Sequence, residues 1–341
     1  MKTSWCCVLL AMSVAALAIA ADSDIDVAVR GVMTRYLRFG VTELADLERG
    51  RTARHSLEAL AAGEIGVAGA VLVNAPKARF MDRARDIVRF KRGPDVLQIG
   101  RFSNPPKIED LAALTVDADD FDPRSCRLHD CDTRLPADVI QRIEREFDSN
   151  APDADARASA LFKQLLLDNV SAYVSGGPGR MLQYDDGFRP IGPVDEFVGI
   201  LQNMPAIGAL VPGLPEHLRG FPEQRVAGAE DFLYWSKEKF GIAPFITVTH
   251  VTIVCGATRT CVMTTKDVYS SRYIDASVAL TVASESARSP NAFYLVYANR
   301  SRANALKGRF SGLRRTIAER RARASVDENL KALKAELEKG P

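Results

Sequence analysis

Residues 245–254, FITVTHVTIV, decide the fold together with the three runs that follow, 261–273 (CVMTTKDVYSSRY), 276–284 (ASVALTVAS) and 292–299 (AFYLVYAN). Each run is rich in β-branched or aromatic residues, and only short polar or turn-forming segments separate them. Parallel strands need a long crossover, so strands joined this closely form an antiparallel meander. Cys255 and Cys261 bracket the tip of the first hairpin. After Arg300 the pattern changes to a long charged helix reaching about Lys339, with Val326, Leu330, Leu333 and Leu337 as its apolar stripe.

Working back towards the N-terminus, the spacing predicts a helical segment from Asp24 to Leu47 and a short helix from Ala53 to Ala62. Residues 64–73, EIGVAGAVLV, alternate small and β-branched side chains and read as a strand. Asn74-Ala75-Pro76 breaks it, and Pro76 suits the first turn of a helix carrying Phe80, Ala84, Ile87 and Val88 on one face. Residues 95–102 read as the next strand. From about 103 to 240 the chain is loop-rich, with helices near 137–147, 157–174 and 195–203 and a linker-like stretch at 151–155.

This order resembles the START-like (helix-grip) fold. The resemblance rests on the strand of 64–73 breaking into an amphipathic helix, and on the meander closed by the final helix. It implies an α+β domain over 64–340, in which a curved antiparallel sheet packs on a long C-terminal helix, with a central insertion at about 103–240. Residues 21–63 would precede it as a helical segment. The resemblance also implies an apolar cavity between sheet and helix. Other α+β folds accommodate the same order. Residues 228–237 and 269–277 are also similar to stretches of secreted bacterial proteins of unknown activity, a likeness that brings no site with it.

Lys2 followed by the apolar run 8–20 and the small-x-small motif Ala18-Ile19-Ala20 has the form of a cleaved signal peptide, residues 1–20. The expected compartment is therefore the periplasm or the exterior. Cys6 and Cys7 fall inside that segment, which leaves Cys126 with Cys131 and Cys255 with Cys261 as two local disulfides. A metal site built on Cys126, His129, Asp130 and Cys131 is the rival reading, but zinc asks for a fourth ligand at a more usual spacing. The charge is balanced, with 45 Lys and Arg against 43 Asp and Glu, so no global field draws the chain to nucleic acid.

Candidate chemistry is sparse. His250 shares a strand face with Ile246 and Val248. Counting outward from the two hairpin cysteines brings Lys266 and Asp267 opposite it, so a His250–Asp267 dyad is expected if the side-chain faces agree. Asp275 is the alternative partner. Tyr269, Arg272, Tyr273 and Trp235 are the candidate ligand-contacting residues. No Gly-x-Ser-x-Gly elbow occurs, and 176–179 (GGPG) lacks the Lys-Ser/Thr of a phosphate loop. No metal ligand set and no cofactor motif is evident. Arg300, Arg302, Arg309, Arg314, Arg315, Arg320, Arg321 and Arg323 make the last helix basic, which suits contact with an anionic membrane surface.

The leading expectation is an exported binding protein for a lipid or other hydrophobic small molecule. The alternatives are an extracytoplasmic hydrolase or isomerase using His250 with an Asp partner, and an interaction protein of the cell envelope.

Overall fold

The computed structural model describes residues 23–184, 191–239, 243–256, 259–308 and 311–339. The signal-peptide reading of residues 1–20 and Arg309 lie outside the described residues. Eight strands, β1 (Ala53–Leu57), β2 (Glu64–Val73), β3 (Val96–Arg101), β4 (Ala229–Lys239), β5 (Pro244–Cys255), β6 (Thr260–Ser270), β7 (Ala276–Glu285) and β8 (Phe293–Arg302), form one curved antiparallel sheet. Its order is β1-β2-β8-β7-β6-β5-β4-β3. The meander runs from β4 to β8, and β2 adds beside β8. The fold is α+β, with the C-terminal helix packed on the sheet.

Among the described residues ten α-helices cover the sheet: α1 (Val27–Arg35), α2 (Val41–Glu48), α3 (Lys77–Arg85), α4 (Ile87–Phe90), α5 (Ala137–Glu146), α6 (Ala154–Gly176), α7 (Pro193–Gln202), α8 (Ala206–Leu210), α9 (Leu214–Gly220) and α10 (Ser311–Glu338). They divide between two faces. On β5, successive side chains alternate, and every residue from Phe245 to Val254 is buried. Ile246 and Val248 join Phe162, Leu166, Val170 and Tyr173 of α6 in one apolar cluster. Val251 and Ile253 join Phe80, Met81 and Ala84 of α3 and Val326, Leu330 and Leu337 of α10 in another. A third cluster packs α1, α2 and α7 to α9 against Val278, Leu280, Val282, Val296 and Ala298. A strand buried on both faces is a near-continuous apolar run, and this is why 245–254 reads so clearly.

Helix α10 lies directly on β2. A Cβ on Gly69 would stand 2.6 Å from Val326 Cγ1 and 2.8 Å from Leu330 Cδ1, so only glycine admits this approach. At the other end of the chain, Asp24 is buried and accepts from the Ser286 and Tyr294 hydroxyls at 2.6 and 2.8 Å and from the Arg288 amide at 2.7 Å. That carboxylate pins the start of the described chain to the β7–β8 connection.

Several sequence expectations need correction. Residues 53–57 form the edge strand β1, not a helix, because their ladder with β2 (Ala53 opposite Ala70, Leu57 opposite Gly66) overrides helix propensity. The segment 24–47 is two helices, separated where Arg38 takes a positive φ of 62°. The stretch 151–155 is the entry to α6 rather than a linker. Residues 229–239 are strand β4. Arg300 and Arg302 belong to β8, not to the last helix, and both pair with buried Glu64, at 2.6 and 3.1 Å.

Candidate functional site

Both cysteine pairs are disulfides, Cys126–Cys131 and Cys255–Cys261, so the thiols of the rival metal reading are consumed. Among the described residues no helix is long and apolar enough to cross a membrane.

The expected His250–Asp267 dyad does not form. The unbroken ladder running back from Cys255 opposite Cys261 sets Lys266 opposite His250 and Asp267 opposite Thr249. His250 and Asp267 therefore point to opposite faces, and Asp267 instead accepts from the Thr249 hydroxyl at 3.0 Å. Burial pushes the Asp267 carboxyl up to about 7, against the lowering effect of that hydrogen bond.

The partner of His250 is Asp231 of β4. Asp231 Oδ1 accepts from His250 Nε2 at 3.0 Å, from His217 Nε2 of α9 at 2.9 Å and from the Thr252 hydroxyl at 2.7 Å. On the far side of the ring, His250 Nδ1 lies 2.8 Å from the Tyr173 hydroxyl of α6. Burial lowers the His250 imidazole to about 4, although Asp231 opposes the shift. The ring is thus neutral near pH 7. A neutral ring that donates from Nε2 must accept at Nδ1, so Tyr173 is the donor there. The His217 Nδ1 accepts from the Val226 amide at 3.4 Å. Burial would raise the Asp231 carboxyl, but the His217 and His250 hydrogen bonds outweigh it and hold it far below the ordinary range.

Lys266 completes this group. Its ammonium donates to the Leu218 carbonyl at 3.0 Å and lies 4.5 Å from the Phe197 ring centroid and 4.9 Å from that of Tyr173. Burial lowers it to about 7. The side chains of His250 and His217 are wholly inaccessible, and only Asp231, at 12% exposure, reaches towards solvent. The arrangement ties β4, β5, α6 and α9 together. Tyr173, raised well above its usual range by burial, stays a phenol.

The remaining sequence candidates separate. Asp275 pairs with Arg134 at 2.7 Å, and burial pushes its carboxyl up to about 6 while Arg134 and Lys307 pull it down. Trp235 is fully buried and donates its indole N–H to the Asp110 carbonyl at 2.8 Å. The Tyr273 hydroxyl is held against the Ala243 backbone, at 3.0 Å from its amide. Arg272 points towards the Asp120 carbonyl at 3.5 Å.

Tyr269 faces a pocket. The Tyr269 hydroxyl donates to the Arg134 carbonyl at 3.1 Å, and Tyr269 lines a partly open pocket of about 210 Å³ bordered by α5, α6 and β6. Leu135, Val139, Phe162, Leu165, Leu166 and Leu182 make the lining mainly apolar, with the exposed Arg142 and Asp168 at its margin. The pocket lies on the face of the sheet opposite α10. One polar side chain within it is almost wholly buried: Asn169, at 3% exposure, whose Oδ1 and Nδ2 both lack a hydrogen-bond partner among the described residues.

Sequence reasoning did not single out Asn169, Asp231 or Tyr173. The signals were polar residues at core-facing positions. Asn169 stands among Phe162, Leu166, Val170 and Tyr173 on the buried side of α6, and Asp231 shares a strand face with Leu233 and Trp235.

The basic half of α10 projects past its packed half. Leu313 and Ile317 are 67% and 47% exposed, and Arg314, Arg320, Arg321 and Arg323 share the same stretch. Comparisons with protein families, with curated proteins and with solved structures find no match for this chain.

Proposed function

We propose that this protein binds a small, predominantly apolar molecule in the pocket between α5, α6 and β6, and that it does so outside the cytoplasm. The observation that carries the reading is an apolar-walled hollow of about 210 Å³ between α5, α6 and β6. Protein interiors leave few voids larger than a water molecule. A dry apolar cavity of about 150 Å³ already accepts benzene. This hollow has room for one substituted ring or a short branched chain. The apolar character was expected from the sequence, although there the cavity was set between the sheet and the last helix. Support for export comes from the signal-like residues 1–20 and from two disulfides, which persist in oxidising compartments.

The test is recovery of the ligand. Solvent extracts of the purified protein are compared by mass spectrometry with extracts of Leu165→Trp, which fills the pocket from its rim, after circular dichroism has shown that the variant is folded. A small molecule present with the wild type and missing from the variant is the expected result. Identical extracts from both proteins would refute the reading.

A further inference from the structure

The pocket raises a question that its apolar walls do not answer. A buried carboxamide with neither atom paired costs free energy, because its lost hydration is not replaced. Native cores pair nearly all such groups. Asn169 breaks that rule at both Oδ1 and Nδ2, at a position that lines the cavity. The polar groups nearest in kind are already engaged: the Tyr269 hydroxyl by the Arg134 carbonyl, and the Tyr173 hydroxyl, one helical turn from Asn169, by His250. Asn169 is therefore the one polar side chain at the pocket, deeply buried and with free capacity, among the described residues.

We infer that the ligand carries a donor and an acceptor on one planar carbon, as in a primary carboxamide or an undissociated carboxylic acid, and presents that edge to the Asn169 amide while its apolar body fills the space among Phe162, Leu165, Leu166 and Tyr269. The two planar groups exchange a pair of hydrogen bonds, N–H to the ligand oxygen and ligand N–H or O–H to Oδ1. An ionised carboxylate is excluded, since it offers nothing to Oδ1 and sets like partial charges together. This inference rests on the pocket reading above and deepens it. A site built to pair a polar group rejects the analogue that lacks it, because its own atoms are then left unsatisfied.

Three probes of nearly equal shape separate the possibilities: benzamide (donor and acceptor), acetophenone (acceptor only) and cumene (neither). Binding is followed by titration of ¹⁵N-labelled protein, read at the Asn169 side-chain amide and at the backbone of Leu165 and Leu166. The expected order is benzamide, then acetophenone, then cumene, with benzamide at least tenfold tighter than cumene and the Asn169 side-chain signal displaced by benzamide. Asn169→Leu, nearly the same size and suited to an apolar wall, should reverse the preference and bind cumene more tightly. Asn169→Ala, which leaves more space, should abolish the preference. Equal binding of all three probes to the wild type would overturn the assignment to Asn169 while the pocket stands. Failure of every probe to disturb Leu165, Leu166 and Asn169 would remove the pocket and the inference together.

Discussion

Replacing Asp231 by alanine should destabilise the fold more than any change at the carboxylate that sequence spacing favours, Asp267. Asp231 Oδ1 accepts three hydrogen bonds within 3.0 Å, two of them from imidazoles with no solvent exposure. Deleting the carboxylate strands two buried N–H donors, because the Thr252 hydroxyl can rotate but the rings cannot turn without breaking the bonds at Nδ1. Each stranded donor costs about 1–3 kcal/mol, so Asp231→Ala should lose about 3–5 kcal/mol. That is a large share of the ~5–15 kcal/mol typical of a whole protein. Asp231→Asn keeps an acceptor and loses only the charge assistance, and about 2 kcal/mol is expected. Asp267→Asn should lie within about 0.5 kcal/mol of wild type or above it. Asp267 holds one hydrogen bond, and its surroundings already favour the uncharged form. The assay is urea unfolding at pH 8, followed by circular dichroism. A loss below about 1 kcal/mol for Asp231→Ala, or equal losses at 231 and 267, would mean that water re-satisfies the imidazoles and that the cluster does not hold the strands and helices together.

Two further outcomes follow from the packing. Lys266 falls from 10.5 in the unfolded chain to about 7 in the folded one, so between those values the unfolded state binds more protons and stability rises with pH. Lys266→Met should remove that rise, worth at most about 5 kcal/mol, and make the protein more stable at pH 6; a wild-type stability that stays flat from pH 7 to 10 would refute it. Gly69→Ala forces a Cβ to within 2.6 Å of Val326 and should cost about 1–3 kcal/mol by overpacking. Val326→Ala should relieve part of that cost in the double variant, and strictly additive losses in urea unfolding would show that α10 and β2 are not in direct contact.

How far the sequence speaks depends on whether local pattern or tertiary pairing sets the outcome. The strands of the meander were legible because burial on both faces demands uninterrupted β-branched and aromatic runs. So were the cysteine pairs, whose short separations leave little choice, and the apolar half of α10. Strand β1 was not. The segment from Ala53 is short and half-exposed, and only its pairing with Ala70 and Gly66 makes it a strand. The ends of β8 and β4 were lost for a related reason: Arg300, Arg302 and Asp231 look like surface charges until buried partners on other strands and helices are known. The His250–Asp267 expectation failed through one residue. The count from the cysteines sets Lys266 opposite His250, and Asp267, its neighbour along the strand, points to the other face. Asn169 was visible only as an oddity in an apolar stripe, since helical spacing alone does not distinguish a satisfied core amide from an unsatisfied one.

The two unusual features of the helical face are mechanically one. Register sets His250 between Leu233 and Lys266, and Asp231 opposite Thr252, so Asp231, His250 and Lys266 occupy three adjacent strands at nearly one level. Charged and polar groups so placed penalise any slippage of β4, β5 or β6, because a slip would bury each without its partner. Tyr173 carries that constraint into α6 through its bond to His250, and Asn169 lies one turn away on the same side of the helix. Phe162, Leu166 and Asn169 line one pocket with Tyr269. On the binding reading proposed above, the buried histidine would act without touching the ligand, through its bond to Tyr173 on the helix that carries Asn169.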